Sequence, residues 1–432
     1  MTTEAEALRG LADINFVPGP VPPVVVGAEG RHLVMADGRR VLDAGGGAIV
    51  TNIGHGRPEI AEVAARSLRT LDYVIPPWAT PERIALRNRL VDGWLPPALS
   101  RVAFVSGGSE STDSAIRLAR AHHVSAGRPD RWKVIGRWPS YHGVTVTTLA
   151  AGGHAARRRG YEPLLLDFPH VPWDDPDALD AMIEANDPDT VAAFIAEPVI
   201  GSAGGALVPP DDYFPRVAEV CRRHGVLLII DEVMTGFGRT GRNFGIEHWG
   251  VTPDILVGGK GLSGGYASMG GLFATEAVVA PLAEAEHAFM FFTFGAQTSA
   301  CAISDKVLEL MEQENLVERC AKIGAVLKDR LTATFEDHPH VAEVRGLGLM
   351  LGIELVASRE PHRWYPADVR FAQQVVAEAM ARDMWVYPAG AGDPVQDALL
   401  LGPAFTITED EIDQVVTVLQ QAIDAAAASV PS

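Results

Sequence analysis

Pro253-Asp254-Ile255-Leu256-Val257-Gly258-Gly259-Lys260-Gly261-Leu262-Ser263-Gly264-Gly265 is the stretch on which the fold turns. A short apolar run ends in glycines, one lysine and more glycines. A lysine so placed has little to do as a solvating surface charge. It reads as an amine held at the end of a strand, where it can attack a carbonyl. Upstream, Val226-Leu227-Leu228-Ile229-Ile230 ends in Asp231-Glu232. A carboxylate after such an apolar run is costly unless it is paired. Taken alone, Asp231 reads better as a strand-ending turn cap.

Apolar runs of the same kind recur at 102–105, 133–135, 191–195 and 271–273, with helical patterns between them at 111–125 and 215–224. Continuous rather than alternating apolar strands, spaced by helices, predict an α/β fold with a mostly parallel central sheet covered on both faces. Ligands of such sheets bind beyond the carboxyl ends of the strands, where Lys260 and Asp231 both fall. The chain ends read differently. Residues 30–43 predict a hairpin turning at Asp37-Gly38, and 348–355 a strand-like pair between two long helical patterns. Thr408, with Glu411 three positions later, marks a helix start. Both ends together predict a smaller α+β domain, from 1–58 and 306–432, packed on a large domain of 59–305.

A hydrophobic content of 47% supports a large core, and a formal charge of −19 argues against non-specific nucleic-acid binding. Cys221, Cys301 and Cys320 have neither metal spacing nor the number for a disulfide framework, and read as small buried hydrophobes. His122-His123 reads as helix surface without metal-ligand partners, and no metal is expected. The segment 1–6 lacks a basic and then apolar leader. No apolar run reaches the ~20 residues of a membrane span. The expectation is an acidic cytoplasmic protein with neither nucleic-acid nor membrane partners.

An amine and an acid at two strand ends suggest pyridoxal phosphate chemistry, which also needs donors for a phosphate and something flat to hold a ring. Ser106-Gly107-Gly108-Ser109-Glu110 follows a strand and opens a helix, whose free amides suit a phosphate. Ser109 can also cap that helix with its side chain. Tyr141-His142-Gly143 follows the next strand. Tyr141 can stack on a ring or serve as a core aromatic; His142 reads more readily as a packed imidazole. A P-loop is excluded, because Gly261 follows Lys260 where Ser or Thr should stand.

Taken in order, these segments are specific. Phe104-Val105-Ser106-Gly107-Gly108-Ser109-Glu110, Tyr141-His142-Gly143, Ala196-Glu197-Pro198-Val199, Asp231-Glu232-Val233-Met234-Thr235-Gly236-Phe237-Gly238-Arg239-Thr240-Gly241, the lysine segment and Phe292-Thr293-Phe294-Gly295 run across nearly the whole chain. It resembles the class III (ω-type) aminotransferases of pyridoxal phosphate fold type I. The resemblance implies pyridoxal 5'-phosphate as cofactor, Lys260 as its Schiff-base lysine and proton carrier, and Asp231 on the pyridine nitrogen. It implies Val233 and Tyr141 on the two ring faces, Gly108 and Ser109 on the phosphate, and His142 within the same cofactor set. Glu197 matches a pocket carboxylate that pairs with a mobile arginine in many members. Thr293 would reach the phosphate from a neighbouring subunit, which implies a homodimer with shared sites. The implied reaction moves an amino group from an amine or ω-amino acid to a keto acid or aldehyde through pyridoxamine phosphate. A racemase, aminomutase or decarboxylase would share the fold and the lysine. A non-catalytic nucleotide-binding protein is a remoter reading.

One departure bears on substrates. Many relatives carry an arginine near the C-terminus that grips the substrate carboxylate. Here Leu400 occupies that position, and Arg382 is the last arginine of the chain. Leucine cannot replace a bidentate guanidinium. Either Arg158, or its neighbours Arg157 and Arg159, binds a carboxylate instead, or the substrates need one less. In the second case Phe16, Trp78 and Phe292 are candidate walls of an apolar pocket. Met234 stands where several relatives have glutamine, and Thr298 where proline is common.

Overall fold

The computed structural model describes residues 11, 14–392 and 395–430; the segment 1–6, read for a leader, lies outside them. The central sheet has seven strands, in the order Arg101–Val105, Gly270–Ala274, Ile255–Gly258, Leu227–Asp231, Val191–Ala196, Lys133–Trp138, His170–Pro172. From Ile255–Gly258 to His170–Pro172 all neighbours are parallel, and Gly270–Ala274 runs antiparallel to both of its own. Every residue of Val191–Ala196 and Leu227–Asp231 is buried, so both read as unbroken apolar runs. All six runs read from the sequence are strands of this sheet. The edge strand His170–Pro172 escapes that reading, because three residues ending in proline carry no pattern.

Helix Gly108–Ser125 lies against Gly270–Ala274 and Ile255–Gly258, with helix Glu276–Glu284 on its other side. This double coverage corrects the placing of His122 and His123 on the surface: both are buried. His122 Nδ1 lies 3.0 Å from the Val278 carbonyl, and His123 Nε2 lies 2.9 Å from that of Ala192. Burial lowers both imidazole pKa values, that of His123 to about 4.

The chain ends meet in a smaller sheet. Val25–Glu29, His32–Met35 and Arg40–Asp43 form an antiparallel meander with its turn at Asp37-Gly38, and Met384–Trp385 joins it in parallel. A third sheet runs Val341–Leu347, Met350–Leu355, Ala398–Leu401, Tyr387–Ala389. Here the reading of 348–355 as a strand pair is corrected. The hairpin turns at Gly348, and its first strand lies earlier, where Glu343 and Arg345 interrupt the apolar signal. Gly348 has φ +55, and a Cβ there would meet Thr240 C at 2.5 Å, so only glycine fits this crossing. The last helix, Glu409–Ser429, starts at the predicted cap. Glu411 N–H donates to Thr408 Oγ1 (3.3 Å) and Thr408 N–H to Glu411 Oε2 (2.9 Å). Among the described residues, no helix is long and apolar enough to cross a membrane.

Candidate active site

The carboxyl ends of the four central parallel strands lead into one cavity, lined by Lys260, Asp231, Glu197, Tyr141, His142 and the helix start Gly108-Ser109. Lys260 opens a single tight turn, Lys260–Leu262, with φ +37, a conformation rarely held by a residue with a Cβ. Burial lowers its amine from 10.5 to about 8, against the opposing pull of Asp231 and Glu197.

Asp231 is 4% exposed, yet both of its oxygens are engaged. Oδ1 accepts the Val233 amide at 3.0 Å, and Oδ2 lies 2.7 Å from His142 Nδ1. With Nδ1 donating to the carboxylate, His142 presents a buried Nε2 that has no partner among the described residues. Glu197 is held differently. Oε1 accepts the Tyr141 amide (2.9 Å) and Oε2 the Gly201 amide (3.1 Å), while burial raises its pKa. It therefore fixes the backbone that carries Tyr141 rather than pairing with an arginine.

Helix Gly108–Ser125 points its N-terminus into the cavity, and its first intrahelical bond runs from Ser111 N–H to Gly107 O. The amides of Gly108, Ser109 and Glu110 have no acceptor within the helix, while that of Ser106 donates to Glu110 Oε2 at 2.8 Å. Gly108 is needed here, because a Cβ would lie 2.6 Å from Val233 Cγ1. The Ser109 side chain does not cap the helix: its Oγ accepts the Val144 amide at 3.2 Å. The structure thus brings Lys260, Asp231, His142, Glu197, Tyr141, Val233, Gly108 and Ser109 to one place.

Other predicted residues lie elsewhere. Arg158 is corrected as a pocket cation. Its Nη1 donates to the carbonyls of Leu149 (2.7 Å), Ala150 and Gly152 (both 2.8 Å), closing the end of helix Val146–Ala151. Arg157, its neighbour, lies with its guanidinium 4.2 Å from the centre of the Tyr141 ring. Trp78 and Phe292 line a separate surface hollow, Phe16 is fully exposed, and Thr293 sits on an exposed loop, so none of them walls the Lys260 cavity within one chain. Leu400 is buried among Met350, Val199 and Ile49.

Two buried arginines escaped sequence reading. Arg137 holds the Glu197 and Trp173 carbonyls beneath the cavity. Arg239 holds those of Thr51 (2.7 Å) and Pro403 (2.6 Å) over the Phe405 ring, joining both chain ends to the large sheet's loops. Their signal was available: Arg137 interrupts the apolar run that follows Lys133, and Arg239 stands in a glycine-rich turn between Gly238 and Thr240.

Chemically, the cavity offers an amine of lowered basicity, a buried carboxylate, and a helix start with first-turn amides that have no acceptor within the helix. These fit an aromatic aldehyde bearing a phosphate, and no part of the donor set disagrees with it. Comparison with known proteins agrees. The aminotransferase class-III family model matches residues 18–423. The uncharacterized aminotransferase YhxA of Bacillus subtilis is 38% identical, over 91% of this chain and 90% of its own. The hypotaurine/taurine–pyruvate aminotransferase of Paracoccus denitrificans is 33% identical, over 93% and 91%. The solved ω-transaminase of Pseudomonas jessenii in complex with PMP superposes with a TM-score of 0.91, at 28% identity and 99% coverage of both chains.

Proposed function

Since this chain belongs to the class-III aminotransferase family, pyridoxal-phosphate-dependent transaminases of fold type I, we propose that Lys260 binds the cofactor and carries the proton of amino transfer. The observation that supports this reading best is an amine with a pKa of about 8 in the same cavity as the buried Asp231. When bound, the cofactor supplies an aldehyde that takes up amines and a ring that draws electrons from the adjoining carbon. Lys260 is basic enough to take a proton and neutral often enough near pH 8 to attack. Asp231 keeps a ring nitrogen protonated, and His142, donating to Oδ2, fixes the direction of that carboxylate. Gly108 and Ser109 hold the phosphate, with Thr293 of a second copy reaching it from outside. Val233 and Tyr141 hold the ring between them.

The donor in this reading is an amine or ω-amino acid, and the acceptor a keto acid or aldehyde. Met234, which lines the cavity and packs on the buried apolar cluster holding Leu400 and Met350, supports it. A homodimer is supported by the exposed aromatics Trp78 (63%), Phe291 (54%) and Phe294 (63%), clustered about the Thr293 loop. A cytoplasmic setting is supported by three buried, unbridged cysteines.

One experiment tests the reaction class. The loaded enzyme is mixed with an amine donor alone, in single turnover. The expected result is one carbonyl product per site, with the amino group retained until a keto acid is added. Racemised donor or released carbon dioxide, without a retained amino group, would replace this reading with another reaction on the same fold.

A further inference from the structure

Met234 lines the cavity together with Lys260 and Glu197, and Gly201 lies against the Met234 sulfur from outside it. The φ of Gly201 is outside the left-handed region, so its backbone conformation would permit a side chain. Space does not. A Cβ there would overlap the Met234 sulfur, and would lie 3.0 Å from Met234 Cε and 3.3 Å from Met350 Cε. Its nearest neighbours are thus all methionine ends, and an unbranched thioether is among the side chains most easily moved.

What would move follows from what is fixed. The Gly201 N–H donates to Glu197 Oε2 at 3.1 Å, and its carbonyl accepts the amides of Gly204 (3.1 Å) and Gly205 (2.8 Å). Ile200 and Leu207 exchange backbone hydrogen bonds across the base of this turn, at 2.9 and 3.1 Å. Arg345, on strand Val341–Leu347, clamps the turn from the small domain. Its Nη2 donates to the Gly204 carbonyl and its Nε to that of Gly205, both at 2.9 Å. A Cβ on Gly352 would overlap the Gly205 carbonyl, so the turn also sits hard against the third sheet. Met350 is fully buried in one cluster with Ile49, Val199 and Leu400. Met234 is only partly buried, and the open space beside it is the cavity.

We propose that Gly201 is a specificity-determining residue. By carrying no side chain it lets Met234 lie back from the cavity, which leaves room there for an aryl or branched group on the amine carbon of the donor. This rests on the transaminase reading and adds the residue that sets the size of its substrate.

The test compares the loaded wild-type enzyme with G201A, M234A and G201A/M234A. Donors are 1-phenylethylamine and 2-aminopropane, which share the amine carbon and one methyl group and differ only in the second substituent; pyruvate is the acceptor for both. In G201A, kcat/KM for 1-phenylethylamine relative to 2-aminopropane should fall about 10-fold, mostly through KM, because a displaced methionine end rejects the larger group. Once Met234 is shortened, a methyl group at 201 has nothing left to push. The double variant should therefore match the ratio of M234A within about twofold. An unchanged ratio in G201A, an equal loss for both donors, or a double variant that falls below M234A by the full G201A factor would overturn the proposal. Borohydride labelling of Lys260 should stay complete in G201A; lost labelling would put the displaced methionine on the cofactor instead of the substrate, and would overturn it too. A crystal structure of G201A reads the wall without turnover. Met234 should turn into the cavity while the 200–207 turn stays in place, and a shifted turn with Met234 unmoved is the contrary result. If the wild-type enzyme turns over no donor, the transaminase reading fails, while that structure still decides on Gly201.

Discussion

The floor of the Lys260 cavity and the aromatic hollow around Trp78 are built by opposite rules. On the floor, the polar side chains around Lys260 are held by their own chain: Asp231 by Val233 and His142, Glu197 by two backbone amides, Ser109 by Val144. At the hollow, large apolar side chains stand in solvent, and the Thr293 carbonyl is met by Tyr73 from the same face. An exposed apolar patch of this kind calls for another surface. A floor made of strand ends needs none. The two regions therefore divide cleanly: the floor is held together within one chain, and the hollow is left uncovered by it.

The sharpest way to break this division is at Lys260. K260A should lower turnover by at least ~1,000-fold, because nucleophile and proton carrier leave together. Borohydride should then attach no cofactor to the 253–265 peptide. Retained turnover would mean that the floor is not the reacting site. D231N follows, with a loss of ~100-fold, since an amide cannot stabilise a protonated ring nitrogen. The cofactor should still attach to Lys260 in that variant. Failure to attach would make Asp231 a folding residue instead.

The same division explains what could be read from the sequence. Lys260 and Asp231 were legible because each ends a fully buried parallel strand, where an ionisable residue after an apolar run is conspicuous. Gly108 and Ser109 were legible from the strand-to-helix junction. The misreadings share one cause, tertiary packing that no local pattern carries. His123 sits within a helix covered on both sides; Trp78 and Phe292 gather at a surface hollow rather than at the cavity; Arg158 turns back to the carbonyls of Leu149, Ala150 and Gly152. The Val341–Leu347 strand was hidden because exposed Glu343 and buried Arg345 interrupt its apolar run.

A charge at the hollow tests the other half of the comparison. In F291D, an aspartate placed where a second copy is expected should weaken self-association by ~10-fold or more. Sedimentation of dilute protein should register the lighter species. Activity should fall with dilution, while borohydride labelling of Lys260 at high concentration persists. If mass and activity are both indifferent to the substitution, the hollow is not the contact between copies.

The smallest effect belongs to Glu197, and its sign discriminates. The Lys260 amine is held down by burial and pushed up by the charges of Asp231 and Glu197. Removing one of those charges in E197Q should lower the amine further, below its value of about 8. Only the neutral amine attacks the aldehyde, so capture of added cofactor by the cofactor-free protein is lost as pH falls through the amine's pKa. In E197Q the midpoint of that loss should therefore move to lower pH, and capture near neutrality should quicken. Glutamine keeps an oxygen for the Tyr141 amide but turns an NH2 toward the Gly201 N–H, so the variant gives up one hydrogen bond together with the charge. A lost hydrogen bond alone would loosen the backbone at Gly201, without moving the midpoint. A midpoint that moves assigns the effect to charge, and hence to a floor whose groups act on one another across the cavity.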